Sequence, residues 1–113
     1  MSTPNLGLPT IPNGNTYSSA AFNDAMQLID AMMPLIVLDK DLASPPSTTS
    51  ADIGKRWIVA ASPTGDWTGH AGDVALCTGE DLWRFIPPKD GYKAFVVDEA
   101  KDYRYLSGTW SIV

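Results

Sequence analysis

The chain has 113 residues, 44% of them hydrophobic and 19% charged, and its thirteen acidic against eight basic residues leave a net charge of −5. That length holds one domain, or a domain with a tail, with enough apolar residues to bury a core. Scattered Lys and Arg on an acidic chain argue against a nucleic-acid partner, and a single cysteine, Cys77, excludes an intramolecular disulfide and reads as a small buried residue of a strand.

Residues 1–17 read as an extended arm. Pro4, Pro9 and Pro12 forbid a helix, while Gly7, Asn13, Gly14 and Asn15 supply turns. Leu6, Leu8 and Ile11 are apolar, which a solvated tail does not require. They are candidates for docking the arm along a surface, its own or a neighbour's. No basic region followed by an apolar run opens the chain, so a cytoplasm is the expected site of synthesis and assembly.

The spacing predicts a long helix over residues 18–42. At about 100° per residue, Asn23, Gln27 and Asp30 share one narrow polar stripe, and nearly every other position is apolar. This apolar arc exceeds the stripe of about 100° that an ordinary surface helix shows. The helix is therefore expected to pack on a downstream β-domain with one side and on copies of itself with the other. Phe22, Met26, Ile29, Met33 and Ile36 are the candidate oligomer interface. Ser18 or Ser19 can cap the N-terminus, and Asp24 and Lys40 suit the helix dipole. Pro34 interrupts the pattern at a cost of about 3 kcal/mol. A kink there is the leading expectation and a complete break at Met33 the second. The uninterrupted apolar run, Ala31 to Leu38, is far shorter than the ~20 residues a bilayer span needs, so no membrane insertion is expected.

Residues 43–53, with Pro45, Pro46 and a Ser/Thr cluster, read as a linker. Residues 54–113 then carry six short strands: Arg56–Ala61, Val74–Cys77, Leu82–Ile86, Tyr92–Asp98, Tyr103–Leu106 and Thr109–Ile112. Ser107-Gly108 is a compact hairpin turn. The fold class is α+β: an arm, one long kinked helix, and a small antiparallel β-domain. Both faces of several strands are apolar, so a sheet covered on both sides is expected.

Four tryptophans invite a carbohydrate-binding reading. Trp57, Trp83 and Trp110 fall in strands and read as core or interface. Trp67 lies in a glycine-rich loop beside Asp66 and His70, and these three are the candidate glycan contacts; the competing reading has Trp67 plug its own loop onto the sheet. His70, the only histidine, has too few partners for a zinc site. Asp66, His70 and Asp73 match no calcium-loop spacing, and no nucleophile signature accompanies them. No catalytic residue, metal site or cofactor is assigned, and no enzymatic activity is expected.

Taken in order, several pieces resemble a bacteriophage family known mainly as a domain of unknown function, found in tail-fibre and tail-spike proteins and in head spikes of phage-like gene transfer agents. The pieces are the arm Thr3-Pro4-Asn5-Leu6-Gly7-Leu8-Pro9, Phe22-Asn23-Asp24-Ala25, Val37-Leu38-Asp39-Lys40-Asp41-Leu42, Gly54-Lys55-Arg56-Trp57, Thr64-Gly65-Asp66-Trp67, Trp83-Arg84-Phe85 and Gly108-Thr109-Trp110. Pro34 departs from the uninterrupted helix expected of the family. The resemblance implies a non-enzymatic virion structural protein, a trimeric module that builds or anchors a tail fibre, spike or head fibre. Its partners would be itself and other virion proteins of tail, baseplate or capsid, and it would be assembled in the host bacterial cytoplasm. The threefold symmetry comes from the family; the apolar helix alone would be satisfied by a dimer as well. The alternative is a carbohydrate-binding module recognising a host-surface glycan.

Overall fold

The structure, a computed structural model, describes residues 2–10 and 19–113 and divides into two compact units, Met1–Pro34 and Leu35–Val113. One helix precedes an antiparallel-rich β-domain, so the α+β class stands. Seven strands lie among the described residues, one more than expected.

The first unit holds the arm and helix α1, Ser19–Met32. Ala, Met, Gln and Leu favour this helix, and Pro34 ends it. The residue before a proline is driven out of the α region, and the last helical bond runs from the Met33 N–H to the Ile29 carbonyl at 3.0 Å. The break at Met33 is thus what the chain adopts, and a kinked helix continuing to residue 42 is corrected. Asp24 lies beyond the first turn and Lys40 beyond the helix, so neither complements its dipole. The expected cap Ser18 lies outside the described residues.

The second unit begins with the stretch expected to be helical. Leu35 and Val37 are buried, while Ile36 is 41% exposed. That is period two, the signature of a strand, and β1 is Ile36–Val37. It pairs in parallel with β5, Lys93–Val96, in the register Ile36↔Phe95 and Val37↔Val96. The same stretch then bonds to a second partner. The Leu38 N–H donates to the Arg56 carbonyl at 2.9 Å, and the Ile58 and Ala60 N–H groups donate to the Asp39 and Leu42 carbonyls at 3.0 Å. Residues 35–42 are therefore a spine stitched to one sheet on one side and to another on the other.

Those sheets are β1-β5-β6-β7, with β6 Lys101–Leu106 and β7 Thr109–Ile112, and β2-β3-β4, with β2 Arg56–Ile58, β3 Val74–Gly79 and β4 Leu82–Ile86. Except for the parallel β1–β5 pair, every pairing is antiparallel. Trp57, Val59, Trp67, Ala75 and Cys77 form the buried core on the three-stranded side, with Leu38, Leu42, Trp83 and Phe85 packed against it. Trp83 receives Trp57 and Trp67 edge-to-face at 5.4 and 5.2 Å, a favoured aromatic geometry. Val37, Ala94, Val96 and Tyr103 are buried on the four-stranded side.

Residues 43–53 are built into this second unit. Thr48 is 4% exposed and exchanges hydrogen bonds with the β3–β4 turn, its N–H donating to Asp81 Oδ1 at 3.0 Å and its Oγ1 accepting from the Asp81 N–H at 2.8 Å. Thr49 and Asp52 close a capping box over a 3-10 turn at Ser50–Asp52. The boundary between the units falls at Pro34, ahead of the stretch expected to be the linker. Ser107 and Gly108 both take positive φ, 52° and 84°, as the hairpin turn predicted between β6 and β7 requires.

Candidate functional site

Asp30 explains the polar stripe of α1. Its side chain is turned into the arm, and the residue is 2% exposed. Oδ1 accepts from the Thr3 hydroxyl and the Leu6 N–H. Oδ2 accepts from the Asn5 N–H at 3.0 Å and from the Asn5 side-chain amide at 2.8 Å. Thr3 Oγ1 in turn accepts from the Leu8 N–H at 2.8 Å, and the Thr3 N–H donates to the Leu8 carbonyl at 2.9 Å. Four donors from one tight turn thus converge on a single carboxylate, and Ser2 bridges to Pro9 across the turn. Burial pushes the Asp30 carboxyl upward, but the bonds from Thr3, Leu6 and Asn5 together outweigh it and hold it below the ordinary carboxylate range. The arm therefore lies along its own helix. Of its predicted docking residues, Leu6 is 43% exposed and Leu8 half-buried, while Ile11 lies outside the described residues.

The opposite character is found a quarter-turn away. Phe22, Met26, Ile29 and Met33 recur at spacings of four, three and four, which keeps them on one side of a helix. Phe22 is 42% exposed, Ile29 40% and Met33 66%, with Met26 half-buried between them. Ile36, expected to extend this row, is a residue of β1 and leaves it. The remaining row is continuous and carries no charge.

The glycine-rich loop folds inward. A 3-10 turn at Gly65–Trp67, opened by Gly65 at φ 62°, drives Trp67 into the core, where it is fully buried. A buried ring cannot stack on a sugar, so the glycan reading loses its central residue and the plugging role is the one observed. Asp66 stays exposed. His70 stacks on Phe85 at 3.6 Å, and its Nδ1 lies 3.1 Å from Asp73 Oδ2. The Trp110 indole N–H donates to the Gly72 carbonyl at 2.9 Å, tying the last hairpin to this loop. Cys77 is buried and its thiol donates to the Gly79 carbonyl.

Carboxylate atoms of Asp39, Asp41 and Asp98 all lie within 4.8 Å of one another. Asp41 is paired with Lys40 at 3.1 Å. Residual desolvation and the neighbouring Asp39, Glu99 and Asp41 push the Asp98 carboxyl above its ordinary value. Asp39 and Asp41 flank Lys40 in the stretch expected to be helical, and no local pattern connects them with Asp98, because the spine that brings them together is set by long-range pairing. Asp30 was visible as a stripe residue, but its partners lie some 25 residues upstream.

Among the described residues no helix is long and apolar enough to cross a membrane. Residues 22–111 match the model of a family described as a protein of unknown function, DUF2793. No curated protein matches the chain.

Proposed function

The chain belongs to the DUF2793 family of proteins of unknown function, and from that footing we propose that it is a non-enzymatic structural protein of a bacteriophage or phage-like particle. In this reading it builds or anchors a fibre or spike by associating with copies of itself, as a trimer, and with other virion proteins. The observation that carries the assembly role is the uncharged row of Phe22, Met26 and Ile29 on α1 with Met33 just past its end, three of whose members are exposed. Fully burying a side chain of this size is worth about 1.5–3 kcal/mol, so covering the row in each copy would reward association. The phage setting is supported by the ordered motifs of arm, helix and β-domain that resemble tail-fibre and spike proteins.

Light scattering on the purified protein tests the proposal. A stable trimer that Ile29→Asp converts to a folded monomer is the expected result. A wild-type chain that stays monomeric at high concentration would remove the assembly role.

A further inference from the structure

The four-stranded sheet has an outward face whose composition does not suit water. Along β5, Ala94 and Val96 point inward and are buried, while Lys93 and Phe95 point outward. Val97 follows on the outward side. Ile36, opposite Phe95 on β1, completes an apolar strip in which Ile36, Phe95 and Val97 are 41%, 38% and 45% exposed. Beside it, Lys93 lies directly opposite Arg104 across the β5–β6 pair. Both are exposed, and among the described residues neither side chain makes an ion pair. Like charges directly opposite in a sheet are destabilising. One carboxylate, Asp102 opposite Phe95, shares this face, but among the described residues it forms an ion pair with neither cation, and the two basic residues stay in excess over it.

We propose that this face docks a second copy of the chain, which covers the apolar strip and brings its Asp39, Asp41 and Asp98 against Lys93 and Arg104. Charge complementarity selects this occupant. The three carboxylates crowd within 4.8 Å of one another where the chain leaves β5, and Lys40 offsets only part of their charge. Each copy thus carries surplus positive charge at the start of β5 and surplus negative charge at its end. Such a contact is head-to-tail: it joins two different patches, and repeated by a closing rotation it makes a ring. Aromatic residues and Arg beside an apolar strip are also the composition that binding surfaces favour. The inference rests on the reading that copies associate, but it uses residues of the β-unit and none of α1.

The test is association of the full chain, followed by sedimentation equilibrium, with circular dichroism melts as the control for folding. K93E/R104E should weaken association at least about tenfold, D41K/D98K should do the same, and the chain carrying all four substitutions should recover most of the loss. Raising ionic strength from about 50 to about 500 mM should weaken the wild type and leave K93T/R104T much less affected. Unchanged association of K93E/R104E, or no recovery in the fourfold variant, overturns the inference even if Ile29→Asp dissociates the protein. Conversely, loss with K93E/R104E but not with Ile29→Asp retains this contact and removes the helix row from the assembly. A wild type that is monomeric at low salt overturns both.

Discussion

Replacing Asp30 by Asn changes a charge and one atom's hydrogen-bonding sense while keeping the side chain's shape. In the native protein Oδ1 receives the Thr3 hydroxyl and the Leu6 N–H, and Oδ2 receives the Asn5 N–H and amide. An Asn side chain can keep the first pair on its carbonyl oxygen, but its NH2 then faces two donors. Two hydrogen bonds to a charged group are lost, each worth about 1.5–3 kcal/mol, and two part-buried donors are left without an acceptor. Adjustment of the turn will recover some of this, so a net cost of about 3 kcal/mol to arm docking is a fair expectation. At 1.4 kcal/mol per factor of ten, the undocked population rises by roughly a hundredfold. Amide hydrogen exchange reads this directly. The Leu6, Leu8 and Asn5 N–H groups should lose protection by about that factor, while Leu38 and Ile58, bonded within the β-unit, should keep theirs. Protection at Leu6 within about threefold of the wild type would refute the idea that this carboxylate holds the arm.

The same clamp should respond to acid. Because the folded state holds the Asp30 carboxyl below its ordinary range, the clamp's contribution is complete above the unfolded value of about 3.9 and is lost as pH falls through the lower folded value; Leu6 exchange measured against pH should show this loss, and Asp30→Asn should abolish it. Trp67→Ala should cost about 3–5 kcal/mol in denaturant unfolding, as expected for deleting a fully buried indole, whereas Trp67→Phe should cost clearly less because it also removes a buried indole N–H that has no acceptor among the described residues; equal costs would contradict this. Thr48→Val keeps the shape but removes the acceptor for the Asp81 N–H and the donor to the Gly79 carbonyl, and should lower stability by about 1–3 kcal/mol without altering the exchange of the arm.

The β-domain was largely legible because its signals are local. Alternating β-branched and aromatic runs bounded by Gly, Pro and Asp mark strands wherever they occur, and all six predicted strands have counterparts. The Ser107-Gly108 turn needs only its own two positive φ angles. Residues 35–42 failed for the converse reason. Leu35-Ile36-Val37-Leu38 is apolar throughout, and a short run of that kind fits a buried strand as readily as a buried helix. What decides is the availability of two edges, β5 nearly sixty residues on and β2 about twenty residues on, and no local pattern reports them. Trp67 is similar: the glycines that make its loop look open are what allow the loop to fold the ring inward.

The apolar arc of the helix is narrower than the sequence pattern suggests, because the helix ends at Met32. Counted to residue 42, the arc is too large for one partner and calls for two. Ended at Met32, α1 has a polar stripe consumed by the arm through Asp30, and on another side the row Phe22, Met26, Ile29 and Met33. The apolar excess of residues 35–38 belongs instead to the β-unit, Leu35, Val37 and Leu38 to its interior and Ile36 to the outer face of the four-stranded sheet. What is left on the helix is smaller and more specific: a row of three exposed side chains with one half-buried, at coiled-coil-like spacing and free of charge. Its burial in another copy becomes a proposition about four residues, which one aspartate at position 29 is enough to decide.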